Sequence, residues 1–281
     1  MSIHKLVEMT WVEVEQLDKQ TSVVILPLSP VEEHGPHLPL GTDLFGAADM
    51  AEWAARRIED QELGYHIVLA PAIPLGCTAV TADFPGTISL RGQTLYHVVQ
   101  DVCTALTEAG FIYLAITNHH LDPVHMKAIL SAAEQVASRT GAHILETASC
   151  LHYTGLKTEE DETGTKMGLD MEKEIHAEVR ETSYISYRYP HLVKGDVSKM
   201  DSVFINVREE AKKGRRSFKE MGARQGYIGS PQHATEAFGR LHLEDGSRLI
   251  ADLILKLLQG KPLPEIHPAT RKFLEKHVTL D

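Results

Sequence analysis

Glu32, Glu33, His34, His37 and Asp43 crowd into one short segment, EEHGPHLPLGTD. Carboxylates and imidazoles together suit Zn2+, Mn2+ or Fe2+. Glu32 and His34 are two apart, and in an extended turn side chains at that spacing project to the same side. Gly35 and Pro36 shape the turn, and Asp43 brings a further carboxylate back towards it. The plainer alternative is a polar loop with solvated acids and backbone-bonded histidines. A second group, Asn118, His119, His120 and Asp122, repeats the imidazole–carboxylate pairing at the same spacing. Asp122 precedes Pro123, so it is equally suited to cap a helix N-terminus. A third group, His176, Glu178 and Glu181, reads either as site residues or as the ion-paired face of a helix.

The surrounding pattern must bring these groups together. Val23 to Leu28, His66 to Ala70, Phe111 to Thr117 and Ala142 to Glu146 are short apolar runs rich in β-branched residues, and read as buried strands. Leu44 to Ile58, Gln93 to Ala109 and Val124 to Thr140 have helical apolar spacing, with Gly110 and Gly141 placed to end the last two. Strands alternating with helices predict an α/β fold, a three-layer α/β/α sandwich with a mainly parallel central sheet. The first two chemical groups then follow predicted strands, at the edge where open α/β sheets hold ligands. Further helices are expected around Met171 to Glu181 and from about Gly246 to Leu258. Thr154 to Thr165 (TGLKTEEDETGT) is polar and acidic and reads as a lid or mobile loop. No linker-like stretch divides the chain, which predicts a single domain over 1–281.

Composition narrows the function classes. The chain carries 28 basic and 39 acidic residues, a formal net charge of -11, which disfavours binding to nucleic acid or anionic lipid. Hydrophobic residues are 43% of the sequence, enough for a real core. Cys77, Cys103 and Cys150 are scattered and form no CxxC, which fits a reducing, cytoplasmic setting. The N-terminal stretch lacks the apolar region of a secretory signal, and no run suits a membrane span. His37 is expected to support a ligand or the turn, while His119 and His125 read as polar helix-start residues. KKGRR, 212–216, reads as solvated, with holding an anionic substrate as the alternative.

In order along the chain, LPLSPVEEHGPHLPLGTD, PAIPLGCTAVTADFPGTISL, NHHLDP, HAEVRETS and GYIGSPQHATEAFG resemble the signature segments of the creatininase family. The resemblance runs from about Leu6 to Leu258 and implies the three-layer α/β/α fold and a hydrolase with two divalent metal ions, zinc, manganese or iron. Glu32, Asp43 and His120 match the ligands of one metal, and His34, Asp43 and Asp122 those of the other, with Asp43 bridging. His176 matches the family's proton-transfer histidine, and Glu181 an acid beside it. Thr78 falls where the family often has a substrate-facing serine, and Leu121 is taken as a second substrate contact. His119 stands where the family usually has glycine.

The implied reaction is hydrolysis of a C–N amide bond of a small molecule, cyclic amide or formamide, by metal-activated water. The implied assembly is a homohexamer. Creatinine itself is not the expected substrate: the family's creatinine-cleaving enzymes cover it with tryptophans around 150–176, whereas Trp11 and Trp53 are the chain's tryptophans. A peptide-processing enzyme of the same family and a non-catalytic metal-binding subunit are the alternatives.

Overall fold

The computed structural model describes residues 3–281. Five parallel strands, β1 (Ile3–Lys5), β2 (Ser22–Pro27), β3 (His66–Leu69), β4 (Tyr113–Thr117) and β5 (His143–Glu146), form one sheet in the order β1-β3-β2-β4-β5. β2 is central, with Val24 in register with Val68 of β3 and Leu114 of β4. The helices are α1 (Trp11–Gln16), α2 (Thr42–Glu59), α3 (Gly92–Glu108), α4 (Pro123–Thr140), α5 (Thr147–His152), α6 (Glu159–Lys166), α7 (Val179–Arg188), α8 (Val207–Lys212), α9 (Phe218–Met221), α10 (Glu236–Leu258) and α11 (Pro268–His277).

Side chains alternate across β2 because strand residues point to opposite faces. Val23 and Ile25 join the core under α2 and α10, whereas Val24, Leu26 and Leu28 join the core under α3 and α4. With both faces covered, β2 is buried along its length and contains no polar alternation. The result is the three-layer α/β/α arrangement. The chain leaves β2 for β3 on one side and later places β4 on the other, so the crevice between the C-terminal ends of β2 and β4 is the switch point of the sheet. No helix among the described residues is long and apolar enough to cross a membrane.

Three segments differ from their sequence reading. Most of the expected lid or mobile loop, Thr154 to Thr165, is helical: α6 starts on a capping box in which Thr158 and Asp161 satisfy each other's backbone N–H groups. Its first-turn acids suit the positive helix end, and its Glu160 docks on His242 of α10. Polarity there reflects helix capping, not lack of structure. The helix expected over Met171 to Glu181 begins only at Val179. The backbone N–H groups of Ile175 and His176 instead bind the Ile228 carbonyl, and Ala177 has φ +47, which interrupts helical geometry. The last long helix begins at Glu236, capped by Thr235, and so runs ahead of the expected start at Gly246.

Candidate metal centre

The loop after β2, the turn after β4 and the segment leading into α7 converge at the switch point. The loop after β2 carries Glu32 and His34 and runs into α2, whose first turn holds Asp43. The turn after β4 carries His119 and His120. It is fixed by Asn118, whose side chain accepts from the His120 N–H at 3.0 Å and donates to the His120 carbonyl at 2.7 Å. The third segment presents His176 and Glu181, and the Ala177 N–H donates to Glu181 Oε2 at 2.6 Å.

Two clusters of donor atoms share Asp43. His120 Nδ1 lies 3.0 Å from Glu32 Oε2 and 3.2 Å from Asp43 Oδ2. On the other side, His34 Nε2 lies 3.5 Å from Asp43 Oδ1 and 3.6 Å from Glu181 Oε1. Glu32, Asp43 and His120 thus form one possible metal-holding set, and His34, Asp43 and Glu181 another. Glu32, His34 and His176 also approach closely enough to count as a third such set.

Hydrogen bonding decides which nitrogen each imidazole turns inward. His120 Nε2 sits 2.9 Å from the Cys77 carbonyl and His34 Nδ1 3.0 Å from the Glu32 carbonyl. A carbonyl only accepts, so these nitrogens carry the protons. The lone pairs of the opposite nitrogens then face carboxylate oxygens, an arrangement that a cation reconciles. Glu32 Oε2, His34 Nε2 and Asp43 Oδ2 are buried and have no hydrogen-bond partner. Buried polar atoms are normally satisfied, so the donor set fits divalent ions with mixed nitrogen and oxygen ligands.

The electrostatics agree. Burial opposes charge on His34 and His120, yet Asp43 and Glu181 hold His34, and Glu32 and Asp43 hold His120, well above the usual imidazole range. Burial is likewise outweighed at Asp43, which His34 and the neighbouring imidazoles hold well below the carboxylate range, and at Glu181, which His34 lowers to about 2. Without a cation, protons on the imidazoles balance the acids. A divalent ion replaces those protons.

Surrounding residues fix this inner group. Thr78 donates a short hydrogen bond to Glu32 Oε1, and Thr81 donates to the same oxygen at 2.7 Å, leaving Oε2 for the cluster. Thr78, expected to face substrate, is therefore fully buried and orients a carboxylate. Leu121 is 40% exposed and borders a hollow of about 240 Å³ over the cluster, as do His176 and Phe218. His176 Nε2 lies 2.8 Å from the Glu33 carbonyl, and its ring centroid lies 4.4 Å from that of His34. His37 bonds Thr182 at 2.9 Å, and burial lowers its pKa to about 4, consistent with support of the turn.

Asp122 is not brought into the clustered sets. Its Oδ1 accepts from the backbone N–H groups of Val124 and His125 at 2.8 and 3.1 Å, capping α4. Burial raises its pKa. Glu181, placed nearby by sequence, occupies the position facing His34. His125 is a fully buried core histidine, accepting from the Cys77 N–H at 3.3 Å and bonding Asn118 at 3.2 Å. KKGRR is exposed, with Lys212 on Glu209 at 2.7 Å and Lys213 on Glu210 at 2.8 Å. Sequence reading missed Thr81, His242 and Glu160. Glu160 and His242 lie far apart in the chain, and only the packing of α6 on α10 joins them.

The segments that build this centre lie within residues 7–254, which match the family described as creatininase, creatinine amidohydrolase. The chain belongs to the creatininase family. A creatininase crystal structure superimposes with a TM-score of 0.70 at 23% identity, covering 89% of this chain and 96% of that one. The mycofactocin precursor peptide peptidase of Mycobacterium tuberculosis is 35% identical over 83 residues, 28% of this chain and 33% of that protein. The creatinine amidohydrolase of Pseudomonas putida is 29% identical over 121 residues, 41% of this chain and 44% of that protein. The matched stretches thus span less than half the length of either of these two relatives.

Proposed function

We propose that this creatininase-family chain is a metal-dependent hydrolase that cleaves a C–N amide bond of a small molecule. The observation that carries this reading is Asp43, whose two oxygens face separate donor sets: Oδ2 meets His120 and Oδ1 meets His34. A bridging carboxylate in a two-ion site has this disposition. Glu32, Asp43 and His120 would hold one ion, and His34, Asp43 and Glu181 the other; solved creatininases include a manganese form and a Zn–Zn form.

Bound there, a pair of divalent ions lowers the pKa of water and polarises a substrate carbonyl. The protein residues supply the rest. His176 has Nε2 engaged by the Glu33 carbonyl, which leaves Nδ1 to take a proton and return it to the departing nitrogen. Leu121, Ile175, Val80 and Phe218 wall the hollow and restrict water around the scissile bond. Glu32 is held by Thr78 and Thr81 so that its free oxygen stays aimed at the cluster.

The segment 150–176 has no tryptophan to sandwich a flat ring, so creatinine is not the substrate we assign. A peptide amide is the second reading. It is favoured by a further cavity of about 280 Å³ that shares His119, Leu121, Ile175 and Glu181 with the hollow over the cluster, giving space for a longer substrate. The test is metal analysis of the purified protein followed by steady-state kinetics on lactams, formamides, acylated amines and short peptides. Metal-loaded protein that turns over none of these would refute the proposal.

A further inference from the structure

The geometry points to His119 as a fourth protein donor on the His34 side of the centre, through Nδ1, an inference that rests on the two-ion reading above. His119 Nδ1 lies 3.3 Å from Asp43 Oδ1 and 4.0 Å from Glu181 Oε1. His34 Nε2 lies 3.5 and 3.6 Å from the same two oxygens. Tetrahedral ligands at ordinary bond lengths of ~2.0–2.2 Å lie about 3.4 Å from each other. These separations surround that value, so His34 and His119 each stand at ligand-to-ligand spacing from the same two carboxylate oxygens.

A chain of hydrogen bonds specifies the inward nitrogen. His119 Nε2 lies 2.8 Å from His242 Nε2, and His242 Nδ1 lies 2.9 Å from Glu160 Oε1. Arg180 Nε reaches the same Glu160 oxygen at 3.3 Å, which favours the ionised carboxylate. An ionised carboxylate only accepts, so Nδ1 of a neutral His242 carries the proton. Its Nε2 must then accept, and His119 Nε2 must donate. That leaves His119 Nδ1 as a lone pair facing two carboxylates, the condition already seen at His34 and His120. Carboxylate–histidine support of this kind fixes the tautomer of a metal-ligating imidazole.

The ring is also clamped in place. A Cβ on Gly46 of α2 would lie 2.6 Å from His119 Cγ, so the glycine makes room for the imidazole. The His119 N–H is held by Ser29 Oγ at 3.0 Å. His119 thus brings a donor to the centre together with a distant histidine and glutamate that orient it.

The experiment is a Co2+ titration of the metal-stripped full chain, followed by visible d–d absorption and by metal content after desalting. Wild type should take up two ions. His119→Gly should retain one and bind the other at least 100-fold more weakly, with a changed absorption envelope, and added imidazole should restore both. His242→Ala, which leaves every donor in place, should weaken that same ion by roughly 10- to 100-fold. Circular dichroism and melting temperature verify that both variants are folded. Two ions bound by folded His119→Gly with wild-type affinity and spectrum would overturn the assignment while leaving the two-ion site intact. Loss that imidazole fails to restore, with His242→Ala unaffected, would also overturn it. Wild type that binds no Co2+ would instead remove the underlying two-ion reading, and His119 with it.

Discussion

Asp43 Oδ2 lies 3.2 Å from His120 Nδ1, the nitrogen turned inward by the hydrogen bond from Nε2 to the Cys77 carbonyl. Both residues are buried, and a cation between them would replace the proton that otherwise joins them. Because Asp43 repeats this relationship towards His34 through its other oxygen, Asp43→Ala should eliminate both metal ions. Mass-spectrometric metal content checks this, and retention of one tightly held ion would disprove a bridging role.

Asp122→Ala should behave differently. Its Oδ1 caps α4, so the expected cost is about 1 kcal/mol of stability with metal content unchanged. Chemical denaturation beside metal analysis separates the two effects. Metal loss without destabilisation would restore Asp122 to the ligand set.

His176→Ala should abolish turnover of any amide substrate found while leaving metal content intact, since its proposed part is proton transfer. Creatinine should be turned over with a kcat/KM below the ordinary enzyme range that starts at ~10⁴ M⁻¹s⁻¹. Activity in the variant, or efficient creatinine cleavage by wild type, would contradict the respective assignment.

Glu160 supplies a pH test of the α6–α10 contact. Despite burial, His242 and Arg180 depress its pKa from 4.5 to about 2. A carboxylate depressed in the folded state stabilises the fold above its unfolded pKa, and that contribution is lost as pH falls through the folded value. The shift corresponds to on the order of 3 kcal/mol. Wild type should therefore exceed Glu160→Gln in urea stability at pH 7, and the gap should narrow as pH drops from 4.5 towards 2. A gap independent of pH would show that the ion pair is not its source.

Gly239→Ala should destabilise the protein although alanine is the better helix former. A Cβ at Gly239 would lie 1.9 Å from the Ser183 carbonyl oxygen, where α10 crosses α7. Forcing the two backbones apart should cost at least ~1–3 kcal/mol, and would also shift the α7 segment bearing Glu181. A raised melting temperature would rule this out.

Much of the architecture is local in origin and therefore legible in the sequence. β2 and β4 declare themselves as continuous apolar runs because a parallel strand covered on both faces has no exposed side. Asp before Pro at 122 announces a cap because the interactions that satisfy it lie within three residues. The in-order segments around Glu32, His34, Asp43, His120 and His176 carry the family. What distinguishes a ligand from its supporting residues is which atom turns inward, and hydrogen bonds from remote segments set that direction. Thr78 and Thr81 turn Glu32, and the Cys77 carbonyl turns His120. Glu181 rather than Asp122 faces His34 because Ala177 interrupts the incoming helix and anchors one Glu181 oxygen, whereas Asp122 spends Oδ1 on α4. Residues 119, 160 and 242 become one hydrogen-bonded chain only when α6 packs on α10 beside the end of β4. Sequence determined which chemical groups were present and which local elements carry them; folding decided the direction of each lone pair, because lone-pair direction depends on partners that sequence spacing does not specify.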